Sequence, residues 1–203
     1  QTWIYDENSF PSGFGGGHVP AQMPESYNQG AGLLMQSVST IPKDVSKYEI
    51  VLSGKPPCGD VTGQVKAGDK GEFYLFDVVL YPTNKWFAGY SYVDLLVPGV
   101  TEKIIEVTMR GYEEVLGADF GKDVPGVFTD EPNIRQPHPI SIRWTPALFD
   151  EFQDRWGYSL KKNLPSLMEE VGDWKRVRHN HYQLLLELFI RYWSKPWYEY
   201  TEK

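Results

Sequence analysis

Four carboxylates in this chain stand in two matching pairs. Asp6 and Glu7 close the aromatic-aliphatic run "WIYDE", and Asp130 and Glu131 close "GVFTDE". Each pair follows an apolar stretch short enough to be a strand, and each is followed by a loop. Successive strand residues point to opposite sides. Of Asp130 and Glu131, therefore, only one can face a shared site while the backbone stays extended, and the other should support a loop or accept backbone N–H bonds. Two carboxylates brought together from separate strands are what glycosidic bond cleavage needs. One protonates the leaving oxygen, and the other activates water or attacks the sugar carbon. A gap of ~5–5.5 Å goes with retention and one of ~6.5–9.5 Å with inversion. Acids behind strands also serve as turn formers and helix caps. For one such pair that plainer reading stands first, and the repetition of the pattern brings the catalytic reading level with it.

The loop after the first pair, "SGFGGGH", has no Gly-Lys-Ser/Thr ending and opens no helix pattern. It reads as backbone that approaches a ligand or a neighbouring strand closely, not as a phosphate loop. His18 at its end is a candidate ligand contact or metal ligand, or a solvent-facing loop residue. Asp6, Glu7, Asp130 and Glu131 offer the oxygen ligands that calcium prefers, without a "DxDxDG" run. No organic cofactor is indicated.

Aromatic residues make up 15% of the chain, with 7 Trp and 13 Tyr. Their density builds cores, and in loops (Phe10, Phe14, Trp86, Phe87, Tyr90, Tyr92) it also suits platforms for sugar rings. The formal net charge of -7 argues against nucleic acid, whose binders need a basic stripe. The basic run Trp174–His181 reads as the solvated start of a helix. No apolar run approaches the ~18 residues of a membrane span. Cys58 is the only cysteine, which excludes an internal disulfide and a Cys-based zinc site.

The elements that must position these groups follow from pattern. Trp3–Tyr5 reads as the end of a buried strand. Residues 32–39, 47–54 and 72–81 read as three strands joined by turns, hence antiparallel, within a β-rich insertion over residues 21–85. From Thr101 to Phe120 the apolar positions Ile105, Met109, Tyr112 and Leu116 recur at helical spacing, with Thr101 as N-cap. Gly126–Phe128 reads as a very short strand. Thr145 and Pro146 open a helix that Gly157 closes. A second short helix is broken by Pro165. A third, capped by Asp173, presents Val177, Leu184, Leu188 and Tyr192 until Pro196 kinks or breaks it. This alternation predicts an α/β fold, namely a partial (β/α)8 TIM-barrel-like domain over residues 1–203 with a small inserted antiparallel β subdomain. A complete barrel needs ~250 residues, and about three or four units fit here.

The stretches "WIYDENSFPSGFGGGHVP", "YSYVDLLVPGVTEKIIEVT", "GVFTDEPNI", "IRWTPALFDEFQDRWGYSL" and "VGDWKRVRHNHYQLLLELFIRYWSKPWYEYTEK" follow in the order seen in bacterial α-L-rhamnosidase-like glycoside hydrolases, family 106 and its relatives. The resemblance covers almost the whole chain, less closely in residues 21–70. It implies a catalytic barrel within a longer exported protein, secreted or periplasmic, that degrades plant-type polysaccharides, with calcium near the catalytic carboxylates. Carried over, Glu7 and Glu131 match acidic active-site positions, as catalytic groups or calcium ligands. Asp6 and Asp130 are their strand-end neighbours. With Trp3, Tyr5, His18 and Trp86 they form the substrate-binding set. The partners implied are an oligo- or polysaccharide substrate and the rest of the parent chain. The chain begins without Met, as a processed or trimmed product would. It stops at Lys203, before the later strands of the family pattern, so the expectation is an active parent glycosidase and little activity in this fragment alone. The second reading is a non-catalytic carbohydrate-binding scaffold. A lyase acting on acidic polysaccharide comes last, since Lys85, Arg135 and His138 are among few cations in the loops.

Overall fold

The structure is a computed structural model that describes residues 1–202. In chain order its main elements are β1 (Ile4–Tyr5), α1 (His18–Gln22), β2 (Gly32–Thr40), β3 (Ile50–Ser53), β4 (Gly59–Asp60) and β5 (Lys70–Val79). There follow α2 (Val100–Leu116), β6 (Val127–Phe128), β7 (Ile142–Arg143), α3 (Leu148–Trp156), α4 (Pro165–Met168), α5 (Trp174–Phe189) and α6 (Lys195–Thr201). They divide between two units. One comprises Gln1–Gln29, Tyr81–Arg135 and the chain from Glu187 onward. The other comprises Gly30–Leu80 and Gln136–Leu186.

In the second unit β5 pairs antiparallel with both β2 and β3, while β2 and β3, consecutive in the chain, do not pair with each other. The five-stranded sheet has the order β4-β3-β5-β2-β7, and every ladder in it is antiparallel. A register shift between Val38 and Thr40 bends the far end of β2. Ile41, Tyr48, Val51, Phe73 and Leu75 pack together on it. Cys58 is buried and its thiol meets the Gly54 carbonyl at 3.2 Å. Burial pushes that thiol up to about 11, which leaves it unreactive.

This topology overturns the partial (β/α)8 barrel. Such a barrel renews a parallel ladder strand after strand. Among the described residues the only parallel pairing between strands is β1 with β6, Ile4 against Val127 and Tyr5 against Phe128. The next strand, β7, does not extend that pair but adds antiparallel to β2. The fold is mixed α/β with a dominant antiparallel sheet. The order of strands and helices misled because it does not reveal which strand a two-residue segment will join.

The first unit is built around Ile4, Phe14, Val93, Leu95, Val100, Ile104, Met109, Trp193 and Trp197. Its main helix, α2, starts after Gly99, whose φ of +87 suits glycine, and not at a Thr101 cap. Thr101 is instead buried, and the inward face is Val100, Ile104 and Met109, with Tyr112 42% exposed. The helical period held: of the predicted positions Met109 is buried and Ile105 and Leu116 pack partly buried against this core, while Tyr112 turns outward. Pro196 does not end the last helix. A π-helical turn, Ile190–Ser194, precedes it, and α6 begins with the proline in its first turn, where no backbone N–H is required. Pro165 likewise opens a helix instead of breaking one. In α3 the first helical residue is Leu148, and Gly157 ends it at φ +74.

Candidate active site

β1 and β6 lie side by side and run the same way, so their C-terminal ends bring both acid pairs to one place in the first unit. Side-chain alternation then sorts the groups. Ile4 is buried, Tyr5 is exposed and Asp6 is buried again. On the outer face the Tyr5 hydroxyl contacts Asp130 Oδ2 at 2.7 Å and also Glu7 Oε2. The Tyr5 ring sits 5.2 Å from the Phe128 ring, and both are about half exposed. Two carboxylates from two strands thus meet at one phenol. A phenol has one hydrogen, so it can satisfy only one carboxylate at a time. The hydrogen bond to Asp130 and then that to Glu7 push its ionisation far above the usual phenol range, and Tyr5 stays a neutral donor.

On the inner face the chemistry differs. Asp6 is 4% exposed. Its Oδ1 accepts a hydrogen bond of 2.6 Å from the Ser12 hydroxyl, while its buried Oδ2 has no partner. Burial, opposed by the Ser12 bond and reinforced by the charges of Glu7 and Asp130, pushes its carboxyl up to about 6. Ser12, wholly buried, also accepts from the Asp130 N–H at 2.8 Å and donates its own N–H to the Asp130 carbonyl at 2.9 Å. Tyr92 completes the layer. Its hydroxyl donates to the Ser12 carbonyl at 2.7 Å and accepts from the Asn133 N–H at 3.3 Å. Burial raises that phenol, so it also remains neutral.

The glycines explain how the first loop fits here. A Cβ on Gly13, at φ +135, would stand 2.8 Å from the Tyr92 hydroxyl, and one on Gly17, at φ +93, would stand 2.6 Å from the Ala88 Cβ. The close approach read from "SGFGGGH" is to neighbouring protein.

The remaining sequence candidates are placed as follows. Glu131 takes no part in the Tyr5 contacts; it is exposed and its backbone sits at φ +43. That left-handed conformation, directly before Pro132, breaks the extended pairing that strand alternation assumes. Trp86 is 61% exposed, and its indole N–H donates to the Phe10 carbonyl, which fixes it on the first loop. Trp3 is exposed and covers Gly126, where a Cβ would stand 2.5 Å from its ring. His18 opens α1 and is exposed. Lys85 and Arg135 are exposed too.

Sequence reasoning missed Ser12 as a connector and Tyr92 as its partner. Tyr92, one of the loop aromatics read as a sugar platform, is instead 4% exposed, and a buried tyrosine needs a partner for its hydroxyl. Ser12 carried no signal beyond its place in "PSG". The calcium implied by the resemblance would compete with hydroxyl donors for the site carboxylates. Among the described residues no three His, Cys, Asp or Glu side chains form a group able to hold a metal ion. Glu7, Asp130 and Asp6 each direct an oxygen at a hydroxyl donor. No family model, no curated protein and no solved structure matches this chain.

Proposed function

We propose that the chain carries the acid pair of a glycoside hydrolase acting on plant-type oligo- or polysaccharides, with α-L-rhamnosides the first class to try. One observation carries the reading: Glu7 and Asp130, from separate strands, meet at the Tyr5 hydroxyl. Two carboxylates that share one hydrogen-bond donor stand closer than an inverting pair, which must leave room for a water, and suit the shorter gap of a retaining one. In this scheme Asp130, its backbone held by buried Ser12, attacks the sugar carbon. Glu7, on the longer side chain, protonates the leaving oxygen and later takes a proton from water. Tyr5 donates to whichever carboxylate is ionised, and Glu131 lies outside the reacting pair. The exposed rings of Trp86, Phe10 and Phe128 supply faces for sugar stacking.

The test is sugar release from a panel of aryl glycosides, by this chain and by the longer protein the resemblance implies. The expected result is release that falls at least a hundredfold in E7Q and in D130N and much less in E131Q. Undiminished release in both E7Q and D130N would overturn the assignment. The exposed rings favour one second reading, a carbohydrate-binding scaffold. Retention on immobilised glycan with no product, weakened by W86A and unaffected by E7Q, would establish it instead.

A further inference from the structure

Glu7 and Asp130 hang from different strands, and β1 and β6 contribute only two paired residues each. So short a ladder fixes little beyond its own end. Past that point Ser12 joins the two loops directly, beside the Tyr92 hydroxyl that bridges its carbonyl to the Asn133 N–H. The Ser12 N–H and hydroxyl oxygen hold both backbone groups of Asp130, at 2.9 and 2.8 Å, and its hydroxyl hydrogen is committed to Asp6 Oδ1 at 2.6 Å. Asp6 is the residue next to Glu7.

We propose that Asp6, acting through Ser12, is a positioning residue that holds the Asp130 backbone against the strand end carrying Glu7. The inference rests on Glu7 and Asp130 being the acid pair. The chemistry favours an acceptor at position 6. A hydroxyl has one hydrogen and two lone pairs. With that hydrogen drawn to Asp6, a lone pair of Ser12 turns to the Asp130 N–H. Without an acceptor at position 6 the hydroxyl is free to rotate, and the Asp130 amide loses its oriented partner. Burial makes the arrangement rigid, because Asp6, Ser12 and Tyr92 are each no more than 4% exposed and no water competes for their bonds.

Four variants of the full chain test this: D6A, D6N, S12A and the double D6A/S12A. The first readout is hydrogen exchange of the Asp130 amide, which needs no substrate. Exchange should quicken roughly tenfold in S12A and D6A, as expected for loss of one buried hydrogen bond. It should stay near the parent rate in D6N, whose side-chain oxygen still accepts. The double variant should be no worse than either single one, the mark of groups acting as a unit. The second readout is glycoside turnover, where S12A and D6A should lower kcat on the order of tenfold to a hundredfold with KM within about twofold. Additive effects in the double variant, or an Asp130 amide indifferent to S12A, would overturn the proposal. S12A removes one hydroxyl and carries the test alone if D6A does not fold. If neither this chain nor the longer protein the resemblance implies releases sugar, the hydrolase reading fails while the exchange readout still decides the brace.

Discussion

Glu131 and Asp6 each hold a conformation or environment their residue type resists. Glu131 is in the left-handed region at φ +43, where a side chain costs roughly 1–2 kcal/mol that glycine avoids. Glu131→Gly should therefore raise the unfolding free energy by roughly 0.5–1 kcal/mol, read from urea midpoints. A loss would show that the carboxylate or local packing outweighs the strain. Asp6 costs stability in its ionised form. Its carboxyl is raised to about 6 in the folded chain against an ordinary value of 3.8. The folded state thus binds the proton more tightly than the unfolded one, and the penalty is full above pH 6 and gone below pH 3.8. The stability advantage of Asp6→Asn over the parent should be largest at pH 7. It should shrink by on the order of 2–3 kcal/mol towards pH 4, and a pH-independent difference would refute it. The four acids were legible in the sequence because type and position name them. The sorting of Asp6 inward and of Glu7 and Asp130 outward was not, because it depends on a partner strand more than a hundred residues away.

Helix α2 illustrates what periodicity conveys and what it leaves open. Its length and register of apolar residues were readable, yet two candidate stripes lie side by side on it. Only the neighbours, Ile4, Phe14 and Trp193 among them, choose between the stripes. Met109 belongs to both stripes and is wholly buried, whereas Tyr112 belongs to the predicted stripe alone and is 42% exposed. Met109→Ala should cost about 2–5 kcal/mol, and Tyr112→Ala less than about 1 kcal/mol. Thermal or urea unfolding of both variants decides it, and equal costs would restore the predicted face. The sheet strands were legible for a different reason. Glycine and proline turns bracket residues 32–40, 50–53 and 70–79, so the strands themselves are marked, whereas the placing of β5 between β2 and β3 is not. Two-residue strands such as β7 carry no pattern, and the expected barrel failed there.

Across the molecule, hydrogen bonding is unevenly distributed. β5 pairs with β2 along most of its length and with β3 over Phe73–Phe76, whereas β1 and β6 pair only with each other. Amide exchange should be slowest at Phe73–Phe76 and at least a hundredfold faster at β1 and β6. Uniform protection would mean that the buried layer around Ser12 stabilises the short ladder far beyond its own hydrogen bonds. Among the described residues no helix is long and apolar enough to cross a membrane. The chain carries a net charge of -7, and Glu7 and Asp130 put part of it beside Tyr5 and Phe128. Here the single hydrogen of the Tyr5 hydroxyl has a consequence for selectivity. Two carboxylates compete for it, so the surface is short of donors and rich in lone pairs. A molecule that settles there must bring hydrogens of its own. Polyols and ammonium groups meet that requirement, while sulfated or phosphorylated sugars bring more negative charge and should be turned away.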